Sequence, residues 1–346
     1  MKEIKDRAWV EAIRKRPGMY IGHTSSLGFY EIIKGLVALT VQVDQGEFSL
    51  EITGALNGNI TLGVKNQITI NWSDKYINFN TEGLAELAII IALSRNCKLL
   101  YRSTNNEEVC QEFVQGYQRI GPEAFTMECS ELIINFDLDD KLWHNDFILN
   151  GLYLSDKMRI LAYLLQNTSI NIKYKSEDLI NSHGFKFKNG INDLIGLKAL
   201  ECYQKPALKN CVEYKLKNYT FKWAYCFLGT SVDQPYLQSF ACNRITYDGG
   251  EHLNGFVDGL VAGAVMFNKK LGNHTSKKIN KYHITNLLIG AIHILTDRPE
   301  YGGATRNRLV NVEIYLPLKA KVQSSFYHQL MSSQEEGINL LSRIIL

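Results

Sequence analysis

The stretch 14–35 holds the residue of this chain best placed to do chemistry. It reads RKRPGMYIGHTSSLGFYEIIKG: a basic run, a Pro-Gly turn, and a segment whose apolar residues recur at helical spacing. Ser25 and Ser26 are candidate helix caps, and Glu31 lies near the start of the predicted helix. A carboxylate held there, behind a turn punctuated by Gly and Pro, could serve as a general base for a water molecule. The same residues are also compatible with a solvated Glu on an amphipathic helix.

Composition limits the classes of function. A chain of 346 residues suggests about two domains. Its formal net charge of +3 gives no support for a strong phosphate-binding surface, because nucleic-acid domains usually carry a marked basic excess. The seven cysteines are irregularly spaced and form no CxxC pair, which indicates reduced thiols in a cytoplasmic protein and predicts neither disulfides nor a metal site.

Membrane insertion and secretion are not expected. The longest apolar run, 84–93, contains Glu86 and is too short to span a bilayer, so it is predicted to be a core helix. The N-terminal 16 residues are charged and amphipathic and lack the apolar core of a signal peptide.

Two motifs, far apart but in a fixed order, point to a family. RPGMYIG at 16–22 is followed by FYEII, and DGGEHLNGF lies at 248–256. Together they resemble the B subunits of DNA gyrase and topoisomerase IV. The resemblance implies an α+β chain: a GHKL (Bergerat-type) α/β sandwich followed by a transducer domain like ribosomal protein S5. His252, in the second motif, is expected to be a packing or hydrogen-bonded histidine.

The resemblance also sets the expected domain boundaries. The ATPase-type domain is expected over 1–180, the transducer over 181–316 and a C-terminal helical tail over 317–346. The likeness ends before the DNA-cleavage region of a full-length relative, so this chain alone is not expected to cut DNA. Its ending at Leu346 without a linker slightly favours a free-standing copy of the two domains over a fragment.

In the family, the helix after the first motif carries the Glu that activates water and, one turn later, an Asn that holds magnesium. Glu31 matches the Glu and is the candidate catalytic residue. The Asn position is Gly35, and the Asp position beside it is Lys34. Half of the catalytic pair is therefore present and half is missing.

The adenine contacts expected from the family are also absent. Its adenine-reading Asp aligns with Val64, and a Thr that helps bind adenine through water aligns with Leu132. An apolar side chain cannot accept the hydrogen bond of the adenine amino group, and a pocket built for that bond loses much discrimination without it. From the residues alone, Val64 is a core strand residue.

The family's phosphate lid and its transducer lysine are altered as well. Gly83 alone remains of the lid glycines, whose missing Cβ lets backbone approach phosphate, and Glu86 adds a negative charge nearby. In the loop 299–306, which corresponds to Pro-x-Phe-x-x-Gln-Thr-Lys, Arg306 replaces the Lys. Gly83 and Arg306 are the candidate cofactor-binding residues. Arg306 could pair with a phosphate, or be a surface cation or the partner of a carboxylate.

Two functions follow as hypotheses. In the first, the chain is a gyrase-B-like module that does not hydrolyse ATP, needs no cofactor, and acts by binding, dimerisation or regulation. Its expected partners are a second copy, a gyrase or topoisomerase subunit, or DNA. In the alternative, it is a working ATPase of a type II topoisomerase with ATP and magnesium as cofactors. A third hypothesis, a nucleic-acid binder centred on the transducer, is disfavoured by the near-neutral charge.

Overall fold

The chain folds into two compact units, Met1–Lys188 and Asn189–Leu346. The structure is a computed structural model that describes residues 8–37, 46–52, 59–73, 84–143, 150–176, 179–230, 236–272, 279, 281–303 and 306–345.

The first unit is built on an eight-stranded sheet with the order β5-β4-β3-β6-β2-β1-β7-β8. Its strands are β1 (Glu47–Ile52), β2 (Ile60–Ser73), β3 (Ser94–Arg102), β4 (Glu108–Val114), β5 (Tyr117–Ile120), β6 (Ala124–Leu138), β7 (Ser169–Ser176) and β8 (Leu179–Phe185). All neighbours are antiparallel except β1 and β7.

Helices of the first unit pack on the sheet through apolar side chains. They are α1 (Ala8–Lys15), α2 (Gly18–Ile21), α3 (Ser26–Val37), α4 (Leu84–Leu93) and α5 (Gly151–Leu164). Phe29 of α3 contacts Phe136 of β6 and Trp143, with ring centroids 6.5 and 6.4 Å apart. Asn150 caps α5, since its side chain accepts a hydrogen bond from the Tyr153 N–H.

The alternation of apolar and polar residues predicts two separate strands at 59–64 and 68–72. The structure has instead the single strand β2, which pairs with β6 on both sides of a bulge between Lys65 and Ile68. A bulge adds residues to one strand without ending the ladder, so a break in the alternation of polar and apolar residues was mistaken for a turn.

The second unit is a five-stranded sheet with the order β12-β11-β13-β10-β9. Its strands are β9 (Ala207–Leu216), β10 (Tyr219–Phe227), β11 (Leu237–Ala241), β12 (Arg244–Ile245) and β13 (Leu288–Thr296). Its helices are α6 (Ile191–Glu201), α7 (Glu251–Lys270), α8 (Lys281–Thr285), α9 (Tyr315–Ser332) and α10 (Gln334–Ile344), with a short 3-10 helix at Val312–Ile314.

Glycines allow backbone to meet backbone in this unit. A Cβ added at Gly259 of α7 would lie 2.9 Å from the Lys319 carbonyl oxygen and 2.6 Å from the Val322 Cβ, so the glycine lets α7 and α9 pack closely. Gly250, which precedes α7, has φ +138° and approaches the carbonyl of Leu309 in the same way.

The units end at different residues from those expected. The expected boundary at 180 falls inside β8, which pairs with β7 and therefore belongs to the first unit. The expected tail 317–346 forms most of α9 and all of α10, whose Phe326, Leu330 and Leu340 are buried in the core of the second unit. The tail is therefore part of that unit.

Among the helices that the structure describes, none is long and apolar enough to cross a membrane.

Candidate functional site

Glu31, the predicted base, lies on α3 in an ion pair with its own helix. The Lys34 ammonium, one turn further along α3, contacts the Glu31 carboxylate. The Glu31 side chain is 41% exposed and that of Lys34 is 16% exposed. The residue that replaces the family's Asp thus places a positive charge on the carboxylate that would have to accept a proton from water.

Gly35, the residue that the resemblance aligns with the magnesium-binding Asn, faces another carboxylate. A Cβ built on Gly35 would lie 2.3 Å from Cγ, 2.4 Å from Cδ and 2.5 Å from Oε1 of Glu86 on α4. The space that a side chain at position 35 would need is therefore filled by Glu86. Gly35 and Glu86, which are 51 positions apart in the sequence, meet at one point of the structure.

The two positions assigned to adenine recognition are direct neighbours in the sheet. Val64 of β2 lies opposite Leu132 of β6, and on its other side it lies opposite Phe48 of β1. Leu132 in turn lies opposite Tyr101 of β3. All four side chains are 0% exposed. These four neighbouring buried side chains are called the apolar row below. Neither Val64 nor Leu132 has an atom that can accept a hydrogen bond.

β2 continues without a turn beyond Val64. There the resemblance implies a Gly-Arg-Gly-Ile-Pro turn after the adenine Asp. In this chain the strand passes through the bulge at Asn66-Gln67 and pairs again from Ile68, opposite Cys129, to Ser73, opposite Ala124. The backbone that would form a loop beside the nucleotide is instead part of the sheet.

Gly83 lies outside the described residues, so its role stays a prediction. α4 is described from Leu84 onwards and carries Glu86 in its first turn.

Arg306, the third candidate, lies on an exposed loop of the second unit. Its backbone has φ +57°, its N–H donates to the Gly303 carbonyl at 3.1 Å, and its guanidinium lies over the Tyr301 ring at 5.9 Å from the centroid. The stacking keeps the cation near Tyr301 while its charge stays accessible to solvent.

Sequence reasoning missed an ion pair that begins in the first motif's basic run. Arg14 donates to the Asp139 carboxylate at 2.6 Å and to the Ala92 carbonyl at 2.7 Å, and Asp139 is 1% exposed. Burial raises the pKa of Asp139, but hydrogen bonds from Arg14 and from the Lys141 N–H outweigh it, so the net pKa is lowered. The letters RKRPG gave no signal of this partner, because Asp139 is 125 positions away.

The second motif places a buried histidine against hydroxyl groups. His252 is 0% exposed, and its Nε2 lies 3.3 Å from Thr246 Oγ1, which in turn lies 2.6 Å from Ser239 Oγ. Burial lowers the pKa of His252 to about 3. A second histidine, His293 on β13, was not singled out from the sequence. Burial, helped by Lys222 and His252, lowers its pKa to about 3 as well.

No group of three His, Cys, Asp or Glu side chains is arranged to hold a metal ion among the described residues. All seven cysteines are free thiols.

The fold is similar to that of known solved structures. It is a mixed α/β architecture that matches the GHKL ATPase domains of gyrase B. The crystal structure of the B-subunit of the DNA gyrase from Myxococcus xanthus superposes with a TM-score of 0.77 over 96% of this chain and 99% of that chain, at 16% identity. The 43K ATPase domain of Thermus thermophilus gyrase B, solved with an aminocoumarin, gives a TM-score of 0.71 over 97% and 92% of the two chains, also at 16% identity.

Sequence comparisons find similarity to the same proteins. Residues 188–346 match the family model described as DNA gyrase B. The topoisomerase 4 B protein of Rickettsia conorii is 22% identical over 99% of this chain, and the DNA gyrase B protein of Mycoplasma genitalium is 24% identical over 98%. The resemblance to the gyrase B and topoisomerase IV B family is thereby confirmed. The chain spans 57% and 58% of the lengths of these two relatives.

Proposed function

We propose that this chain is a gyrase-B-like ATPase and transducer module that does not hydrolyse ATP and works by binding. The observation that carries the proposal is the contact between Glu86 and Gly35: position 35 has no side chain that could hold a metal, and the Glu86 side chain fills the space beside it. Magnesium takes oxygen ligands at 2.0–2.1 Å in near-octahedral geometry and is usually held through one or two carboxylates and the phosphates of the substrate.

The residues present do not fit magnesium-bound ATP. Gly35 supplies no ligand atom to the near-octahedral shell that magnesium demands, and the carboxylate beside it comes from α4, where its charge adds to that of the triphosphate. Like charges brought together at a binding surface cost several kcal/mol. Lys34 does not replace the ligand, since an ammonium donates hydrogen bonds and cannot coordinate a cation. No step of hydrolysis is therefore assigned to this site.

The apolar row adds a second, independent obstacle to nucleotide binding. The adenine amino group would lose its hydrogen bonds to water without gaining an acceptor at Val64 or Leu132. Leaving such a polar group unpaired when it is buried costs about 1–3 kcal/mol. The unpaired amino group is a cost at the base, and the repulsion by Glu86 is a cost at the phosphates. A rearrangement that removed one of these two costs would leave the other.

The proposed role of the module is to bind a macromolecular partner. A gyrase or topoisomerase subunit, DNA and a second copy of the chain are the partners in keeping with its family, in the cytoplasm. Arg306 is accessible on its loop and suits an anionic group of such a partner. It is proposed as a contact residue, with Glu31 and Gly83 as inherited positions of the former ATPase site.

Calorimetric titration with a non-hydrolysable ATP analogue and magnesium tests the proposal, together with steady-state ATPase assays of the wild type and Glu31→Ala. We expect no saturable heat at millimolar analogue and the same background phosphate release from both proteins. Tight, magnesium-dependent binding with turnover that disappears in Glu31→Ala would establish the alternative, a working topoisomerase ATPase.

A repaired variant sharpens this test. Gly35→Asn with Glu86→Ala returns the neutral ligand and removes the added charge, while the apolar row is unchanged. We expect magnesium-dependent binding of inorganic triphosphate to improve in this variant, and discrimination between adenine and guanine nucleotides to stay absent. Glu51→Ala, on an exposed strand residue paired with Lys173, is the matched control for removing one carboxylate. DNA binding is assayed separately by salt titration, and a salt-dependent shift would support DNA as the partner.

A further inference from the structure

Strand β9 forms one edge of the sheet of the second unit. It pairs with β10 on one side, and the strand order places no described strand on the other side. An edge strand presents a row of unpaired N–H and C=O groups that can template pairing with another strand. β9 is also long for an edge, from Ala207 to Leu216.

The first part of this edge is closed by the unit's own side chains. Gln329 of α9 donates to the Lys209 carbonyl at 3.0 Å, and Glu336 of α10 accepts from the Leu208 N–H at 3.3 Å. Leu208 has φ +49°, and the register with β10 shifts beside it. Bulges and covering side chains are devices that protect edges from further pairing.

The second part of the edge has no such cover among the described residues. Leu216 and Tyr219 flank a tight turn, so the backbone groups of Leu216, Tyr214 and Val212 face β10. Those of Glu213 and Lys215 face the open edge, and both side chains are exposed. In the described chain, none of the hydrogen bonds from side chains reaches the backbone of these two residues.

We infer that residues 212–216 pair in antiparallel register with the same residues of a second copy of this chain. The register that we assign places Tyr214 opposite Tyr214 of the second copy. Glu213 then lies opposite Lys215 on each side of the twofold axis, and Val212 lies opposite Leu216. Every facing pair is complementary, either in charge or in apolar character.

Neighbouring registers are worse for the same strand. Moving the axis by one residue toward the N-terminus places Glu213 opposite Glu213, and moving it one residue the other way places Lys215 opposite Lys215. Like charges directly opposite each other are unfavourable in a sheet. A register centred on Cys211 would need the Lys209 carbonyl, which Gln329 already occupies.

The charged side chains of Glu213 and Lys215 stay accessible to a second copy of the chain. Glu213 lies 3.4 Å from Lys222 and 3.7 Å from Lys215, and the Lys215 side chain is 75% exposed. In the paired strands each Glu213 would gain a third lysine, Lys215 of the second copy, from across the axis. This dimer needs no nucleotide and no residue of the first unit. It can therefore be tested independently of the proposed loss of ATP hydrolysis.

Charge exchange tests the pairing. We expect wild-type protein to show a concentration-dependent monomer–dimer equilibrium in sedimentation equilibrium at 50 mM salt. Glu213→Lys and Lys215→Glu should each weaken dimerisation by about tenfold or more, because each places like charges opposite each other twice. The double variant, Glu213→Lys with Lys215→Glu, restores both pairs and should restore the dimer. Circular dichroism checks that all three variants are folded.

Cross-linking tests the register itself. In a Cys211→Ser background, Tyr214→Cys should form a disulfide-linked dimer under mild oxidation, since facing Cβ atoms of such a pair lie about 4.5–5.5 Å apart. Leu216→Cys in the same background is the control and should not cross-link, because it faces Val212. A monomeric wild type, a dimer unaffected by the single charge reversals, a double variant that stays monomeric, or equal cross-linking at 214 and 216 would each overturn the inference.

Discussion

The motif residues have different surroundings in the two units. In the second unit the glycines of the DGG motif still allow backbone contacts, as at Gly250 beside Leu309, and His252 is still buried against hydroxyl groups. In the first unit the positions assigned to ligand contacts have been filled by the protein itself, by Glu86 and by the apolar row. The match to the gyrase B family model covers the second unit, from residue 188.

The difference follows from what each residue contacts. A glycine that lets two backbones meet has no substitute, because any Cβ collides with main-chain atoms that cannot move away separately. A side chain that contacts a ligand is constrained only while the ligand is bound, and afterwards its space is available to neighbouring side chains. The contrast is between motif residues whose contacts serve the fold and positions that the resemblance assigns to a ligand.

The largest expected effect is a loss of stability of the second unit in acid. His252 and His293 have folded-state pKa values of about 3, below the unfolded value of 6.5. The unfolded chain therefore binds more protons below pH 6.5, so stability is complete above that pH and is lost as pH falls toward 3. At pH 5 the two histidines together should lower the unfolding free energy by about 4 kcal/mol relative to pH 7.

Urea unfolding of the wild type and of His252→Gln at pH 7 and pH 5 measures this effect. Glutamine can still pair with Thr246 but does not titrate, so the variant should lose about half as much stability on acidification. An equal loss in both proteins would show that His252 is not the titrating group.

Gly250→Ala should lower the unfolding free energy of the second unit by about 3 kcal/mol. Its added Cβ would lie 2.2 Å from the Leu309 carbonyl oxygen at a φ of +138°, so strain and collision act together. Gly272→Ala is the control, because Gly272 also has a positive φ, +78°, but no atom within 4 Å of the added Cβ. Hydrogen exchange of α7 peptides measures the stability of the second unit in the two variants. Equal losses in Gly250→Ala and Gly272→Ala would mean that the close approach to Leu309 does not add to the cost of a Cβ at position 250.

In the first unit, a loss of stability is expected when the ion pair between Arg14 and Asp139 is removed. Arg14→Ala removes the partner of the buried Asp139 and should destabilise the unit by about 2 kcal/mol, less than a fully buried pair because Arg14 is 18% exposed. Chemical denaturation at pH 7 measures this loss. Lys15→Ala, an exposed neighbour, is the control, and a similar change in both variants would contradict a specific role for Arg14.

The sequence was most informative where a pattern is local. The helix of Glu31, the turn before α7 and the family itself follow from short motifs, because caps, glycines and apolar spacing act over a few residues. The continuous β2 strand was missed, since a bulge and a turn give similar breaks in alternation. The contacts of Asp139 with Arg14 and of Glu86 with Gly35 could not be foreseen, because each joins residues that only the tertiary fold brings together.

The smallest expected effect is a change in helix stability at position 35 that depends on the Glu86 side chain. Gly196, inside α6, has no atom within 4 Å of an added Cβ, so Gly196→Ala should stabilise the chain by about 0.5–1 kcal/mol through helix propensity alone. Gly35→Ala should lack this gain, because the new methyl group must displace the Glu86 side chain. In a Glu86→Ala background the gain at position 35 should return, and the coupling is read from the four unfolding free energies of the cycle. Additive effects would mean that Glu86 does not occupy the space beside Gly35, and the main support for a filled metal position would be lost.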